Sequence, residues 1–203
     1  MENFLQEHWL DITTTVLGLA YILLELKASV WMWVAGFVMQ VLGIVLYYQK
    51  GLYADCGMEF YYLGMTVYGF YAWIRPRQKT NQNGTKTERP ITHIKGKVLL
   101  PWLIITAALW MLIFWILTSY TDSTVPLADS FTTALSIVGM WALAHKYLEQ
   151  WFIWIAVDVV TCVLYAYKDI PFKAGLYGLY VIIAILGYRK WRRMMDTQKT
   201  EET

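Results

Sequence analysis

Sliding the chain 118 positions along itself (151 − 33 = 118) lays its first third over its last third without a gap. Trp33 meets Trp151, Tyr47 meets Tyr165, Lys50 meets Lys168, Tyr62 meets Tyr180, Gly69 meets Gly187 and Trp73 meets Trp191. Asp11, Thr14 and Thr15 fall on Asp129, Thr132 and Thr133 in the same register. The same shift puts Gln40 on Asp158, two polar residues inside otherwise apolar runs. A duplicated apolar unit with a polar position at one depth in each copy is a common plan of membrane carriers. The register therefore points to small-solute transport.

Composition requires the membrane part of that reading. Of 203 residues, 58% are hydrophobic and 16% charged, with a mean hydropathy of +0.39. A soluble domain of this length cannot hide so much apolar surface. A helix needs roughly 20 apolar residues to cross the hydrocarbon layer. Seven segments meet that need, about 11–27, 30–49, 55–74, 98–120, 129–146, 149–167 and 171–190. Segments one to three and five to seven form the two copies, and segment four lies between them. Three helices reverse the chain, so an odd linker helix lets the second copy enter the membrane in the orientation of the first. The expectation is an all-α polytopic membrane protein, seven transmembrane helices in a 3+1+3 parallel repeat. Its parts are a first repeat at 11–75, a cytoplasmic loop at 76–97, a linker helix at 98–120, a second repeat at 129–193 and a cytoplasmic tail at 194–203.

Charge placement orients this plan. The stretch from Arg75 to Lys97 holds seven basic residues against Glu88 alone, and the tail adds Arg189, Lys190, Arg192 and Arg193. With seven crossings both stretches lie on one side, which the excess of Lys and Arg marks as cytoplasmic. The N-terminal stretch carries Glu2, Glu7 and Asp11 and no Lys or Arg, so it is expected outside. Without a basic n-region it does not read as a cleaved signal peptide. The segment from Thr118 to Asp129, with two Asp and no basic residue, falls outside as well. Thr80–Thr87 reads as a flexible polar linker. Tyr47, Tyr48, Tyr53, Trp73 and Trp191 are expected to anchor the headgroup belts. Cys56 and Cys162 read as unpaired packing residues.

The chemistry concentrates in segment six. Trp151, Trp154 and Asp158 follow i, i+3, i+7 and share a helix face within about 60°. A carboxylate at mid-membrane costs roughly 2.5–3.5 kcal/mol on insertion scales, so it must face water, a partner or a substrate. Two indoles beside a carboxylate suit a flat cationic ring. The competing reading is core packing for the two Trp and a helix–helix hydrogen bond for Asp158. Gln40 takes the Asp158 position in segment two, with Trp33 seven residues before it and Gly36 where Trp154 would stand. Gly36 leaves room for a ligand or for close helix packing. A site on the repeat axis would receive Gln40 from one copy and Asp158 from the other. Glu59 either reaches the outer interface, pairs with Lys50, or faces a cavity with Tyr62 one turn on. Glu25, Lys27, His145, Lys146 and Glu149 read as interfacial charges. His8, His93 and His145 make no ligand pattern, and no metal, phosphate or nucleophile motif is present, so neither a cofactor nor an enzyme is expected.

Trp151-x-x-Trp154-x-x-x-Asp158 resembles the W-x-x-W-x-x-x-N/D signature of the PnuC-type vitamin transporters. Leu52–Ala54, Tyr68–Trp73 and Leu135–Val138 are similar to stretches of that family. The resemblance spans nearly the whole chain. It implies a bacterial inner-membrane carrier, related in architecture to SWEET sugar transporters, that moves an unphosphorylated vitamin by facilitated diffusion. A cytoplasmic vitamin kinase would then trap the substrate. The implied substrate site is Trp151, Trp154 and Asp158, joined by Gln40, Glu59, Tyr62 and Trp33. Family members that take nicotinamide riboside tend to carry Asn at the third motif position. Asp158 and Glu59 suit a more cationic or protonatable substrate, so thiamine, as in the PnuT branch, is the leading expectation. Nicotinamide riboside, also a cation, is the alternative, and riboflavin a further one. No nucleic-acid partner is implied, and a homo-oligomer is compatible. Alternating access would rock one three-helix bundle against the other. A polytopic signalling or scaffold protein is the competing class, and no loop is long enough to hold a separate domain.

Overall fold

The computed structural model describes residues 13, 16–49, 51, 53–75, 89–167 and 169–201. Among them lie seven α-helices: α1 (Val16–Leu26), α2 (Trp31–Gln49), α3 (Tyr53–Ile74), α4 (Gly96–Tyr120), α5 (Pro126–Ala144), α6 (Gln150–Tyr167) and α7 (Pro171–Glu201). α2, α4, α5 and α6 are long and apolar enough to cross a membrane by length and composition. α1 is apolar but shorter over its described residues. The chain divides into two compact units, Met1–Arg89 and Pro90–Thr203.

In the first unit α2 packs on α3, and α1 reaches α2 through Tyr21. Leu26 ends α1 in a left-handed cap, with Ala28 at φ 49° and the Ser29 N–H donating to Leu24 O at 3.0 Å. That five-residue return satisfies a carbonyl the helix end would leave open. Gly51, at φ 70°, turns the chain from α2 into α3. The core is aromatic: the Trp33 ring meets Trp73 edge-on at 5.4 Å and 90°. A Cβ on Gly69 would overlap the Trp33 ring.

The second unit repeats these devices 118 residues later. Lys146 caps α5 at φ 52°, with Tyr147 N–H to Ala142 O at 3.0 Å. Asp169, at φ 58°, stands in the register position of Gly51. Trp151 meets Trp191 edge-on at 5.6 Å and 88°, and its ring fills the space above Gly187. Helix pairing runs α4 on α5, α5 on α6 and α6 on α7. Proline opens both α5 and α7, where a missing N–H leaves no bond unmade.

Three boundaries differ from expectation. α5 begins at Pro126, three residues early, because Ser123 Oγ holds Asp129 at 2.8 Å and accepts the Val125 N–H, gathering the first turn. α7 continues past 190 to Glu201, since Trp191 and Met195 are buried and keep an apolar stripe in contact with the unit. The expected tail is thus helical as far as Glu201. Of the expected loop 76–97, residues 76–88 lie outside the described set, and 89–95 form an extended strap. Thr92 N–H donates to Lys146 O at 3.1 Å, and Leu148 N–H returns to Thr92 O at 3.0 Å. Glu149 takes the Ile94 N–H on Oε2 at 3.0 Å and His93 Nδ1 on Oε1 at 2.7 Å. Gln198 of α7 accepts the Ile91 N–H at 3.2 Å.

Trp73 and Trp191, expected as headgroup anchors, turn their rings into the protein. They are 4% and 0% exposed, edge-on to their partner indoles inside each unit. Hydropathy marked the helix ends correctly but carried no information on which way each ring turns. Glu25 and Lys146, expected as interfacial charges, are also buried.

Candidate substrate site

α6 starts at Gln150, directly after the strap-bound turn, and carries Trp151, Trp154 and Asp158. Trp151 is 3% exposed, wedged between Gly187 and Trp191 of α7. Trp154 turns the other way, toward α5. A Cβ on Gly139 would lie 3.4 Å from Trp154 Cζ2 and 3.2 Å from Ile153 Cγ2. Trp154 also packs on the cluster of Ala142, Ile153 and Val157, beside Trp102 of α4. The two indoles of the motif therefore do not stack on a common ligand face. Trp151 fastens α6 to α7, whereas Trp154 fastens it to α5 and remains partly exposed.

Asp158 lies two turns along α6 from Gln150 and is 9% exposed. Tyr180 of α7 is within electrostatic reach of its carboxyl group. Tyr180 in turn meets Tyr177 edge-on at 5.7 Å, and Tyr177 stacks on Tyr165 at 5.4 Å. Three tyrosines, two from α7 and one from α6, thus follow one another from the carboxylate. The indole Nε1 atoms of Trp102, Trp151 and Trp154 are buried with no hydrogen-bond partner within the protein. Buried donors with unspent capacity are uncommon in packed cores.

The first unit holds the remaining expected residues. Gln40 of α2 is partly exposed. One turn on, Gly43 faces α3, and the Glu59 carboxyl group lies against it, 2.8 Å from where a Cβ would stand. Glu59 therefore reaches the α2 backbone rather than an outer surface, while Lys50 lies outside the described residues. Tyr62 follows one turn later, its ring 5.6 Å from that of Tyr61. Trp33 is 1% exposed and forms the floor of an apolar groove of about 300 Å³ with Val34, Phe37, Thr66, Val67, Phe70 and Tyr71. Gly36 is occupied by α1: the Tyr21 Cε2 lies 3.3 Å from where a Cβ would be. The space is used for helix packing.

Two further polar residues of the second unit were not marked by the motif: Tyr180, within electrostatic reach of Asp158, and Gln150, enclosed at the start of α6. Tyr180 was visible in the sequence only as the repeat partner of Tyr62. Gln150 was hidden as the residue beside Trp151, though its register partner Met32 makes the polarity conspicuous. Among the described residues no group of His, Cys, Asp and Glu could hold a metal ion. Cys56 and Cys162 are free thiols.

Residues 8–193 match the family model described as the nicotinamide mononucleotide transporter. The chain belongs to that family. It is 25% identical over 207 residues to the nicotinamide riboside transporter PnuC of Escherichia coli, covering 90% of this chain and 84% of that one. The riboflavin/roseoflavin transporter RibM of Streptomyces davaonensis is 26% identical over 186 residues, with the same two coverages of 90% and 84%. The crystal structure of the vitamin B3 transporter PnuC aligns at a TM-score of 0.72 and 21% identity, over 96% of this chain and 85% of that one. This likeness supports the all-helical polytopic fold of the family.

Proposed function

We propose that this protein carries a heteroaromatic vitamin across a membrane, with nicotinamide riboside as its first substrate. The observation that carries the reading is the buried Asp158 at the end of the Trp151–Trp154–Asp158 motif, in a chain of this family. A pyridinium ring is a delocalised cation, and a buried carboxylate beside an indole matches it in charge and shape. The relatives named above favour nicotinamide riboside over thiamine, which the carboxylate alone had suggested. Thiamine remains the second reading on one observation: Asp158 stands where family members that take nicotinamide riboside tend to carry Asn.

In this proposal Asp158 neutralises the substrate, Trp154 and Tyr180 flank it, and Trp151 holds α6 in place. On the first unit the proposed substrate contacts are Gln40, Glu59 and Tyr62, and Trp33 has the scaffold role of Trp151. The two three-helix repeats, α1–α3 and α5–α7, are linked by α4, with the N-terminus outside and the C-terminus in the bacterial cytoplasm. Transport runs down the gradient, and a cytoplasmic kinase traps the product. The test is a titration of purified protein against nicotinamide riboside, thiamine and riboflavin, read by Trp fluorescence and paired with liposome flux. Saturable nicotinamide riboside binding with flux is expected. Intact folding without flux of any of the three would favour the signalling or scaffold class instead.

A further inference from the structure

The turn between α5 and α6 carries two neighbours with opposed energetics. Gln150 is fully enclosed at 0% exposure, and neither its Oε1 nor its Nε2 has a partner within the protein. Its register position in the first unit is Met32, also at 0% exposure. Gln and Met are unbranched side chains of similar length, so packing there is satisfied without an amide. An enclosed polar group lacking partners raises the energy of the state that encloses it, and water reaching it relieves that cost. The adjacent Glu149 acts the other way. Its two carboxylate oxygens hold the strap at Ile94 and His93, on the protein surface. In the first unit Trp31 stands in its place, 65% exposed.

We propose that the α5–α6 turn is a gate at the strap end of the second unit, with the enclosed Gln150 amide favouring opening and the Glu149 grip on the strap favouring closure. The inference rests on the transport reading, because Trp154 and Asp158 lie one and two turns further along α6. Opening the turn would hydrate the amide and release the helix end that positions both. Closure docks the strap and returns Leu148, 1% exposed, to the core.

Hydrogen exchange of the substrate-free protein over residues 89–95 and 145–151 reads the gate directly, since local opening sets the exchange rate. Gln150→Met should slow exchange at the turn roughly tenfold and raise the melting temperature, as removal of an enclosed unpaired amide predicts. Gln150→Leu is read in parallel to guard against a folding failure of one variant. Glu149→Ala should speed exchange at strap and turn together by about the same factor. Both changes should alter liposome flux of nicotinamide riboside while leaving its equilibrium affinity within about twofold. Unchanged or faster exchange in both Gln150 variants, or a lower melting temperature, would overturn the gate and make the amide structural. The expected exchange pattern with unaltered flux would also overturn it. Exchange needs no substrate, so a wild-type protein with no flux of any vitamin tested would sink the transport reading by a separate result.

Discussion

Trp151 and Gly187 are two halves of one contact: the indole occupies the volume a Cβ on the glycine would need. Trp33 and Gly69 make the same contact 118 residues earlier, and each indole also receives the edge of a second one, Trp191 or Trp73. Two helices can approach this closely only where one of them has no side chain. Gly187→Ala should therefore overpack the α6–α7 interface, at a cost of about 1–3 kcal/mol. Gly69→Ala should do the same at α2–α3. Thermal unfolding in detergent checks both, and Gly175→Ala, where a Cβ would meet nothing, is the control.

Asp158 separates charge from shape. Asp158→Ala should weaken nicotinamide riboside binding by at least tenfold, since charge-assisted contacts carry about 1.5–3 kcal/mol. Asp158→Asn keeps the outline and removes the charge. If the carboxylate neutralises the pyridinium, Asn should weaken binding of the cation by about tenfold and leave binding of neutral riboflavin nearly unchanged. Trp fluorescence titration measures all of these. Equal losses for cationic and neutral ligands would assign Asp158 to hydrogen bonding alone.

Much of this architecture was legible in the register. Trp33, Gly69 and Trp73 pair in sequence with Trp151, Gly187 and Trp191, and in space they form the same contact. The left-handed caps were not legible, because Ala28 and Lys146 lack the glycine that marks such a turn. Side-chain direction was also beyond reach. Trp151 and Trp154 share a helix face within about 60°, yet that angle suffices to send one ring to α7 and the other to α5. Helical spacing fixes the angle between two residues and not which neighbouring helix each meets. Gln150 was overlooked because a polar residue at a helix start reads as ordinary.

The proposed orientation, with the N-terminus outside, rests on the charge asymmetry and can be read in cells. Single cysteines introduced between Thr80 and Thr87, in a Cys56→Ala, Cys162→Ala background, should resist a membrane-impermeant maleimide in intact cells and label in inverted vesicles. Removing the native thiols should be tolerated, since Cys56 and Cys162 make only weak thiol contacts to the Ile44 and Ala174 carbonyls at 3.7 and 3.2 Å. Labelling in intact cells would reverse the assigned orientation.

The asymmetry at Gly36 and Trp154 has a compensating partner. In the first unit Tyr21 of α1 lies over Gly36 of α2. In the second, the register partner of Tyr21 is Gly139, and that of Gly36 is Trp154, which lies over it. The aromatic ring and the glycine have exchanged helices between the copies, so the packing is conserved while the ring changes owner. Trp154→Gly should leave a cavity beside Gly139 and cost about 3 kcal/mol, the low end of the range for truncating an aromatic, because the ring is partly exposed. Gly139→Tyr should overpack against the existing indole. Combined, Gly139→Tyr and Trp154→Gly reproduce the first unit's arrangement. The double variant should be more stable than the sum of the two single losses, with a favourable coupling of about 1–3 kcal/mol in a double-mutant cycle. It should also bind nicotinamide riboside at least tenfold more weakly, because the ring beside Asp158 is gone. Additive losses in stability would show that the exchanged pair does not act as a packing unit, and retained affinity would remove Trp154 from the substrate site.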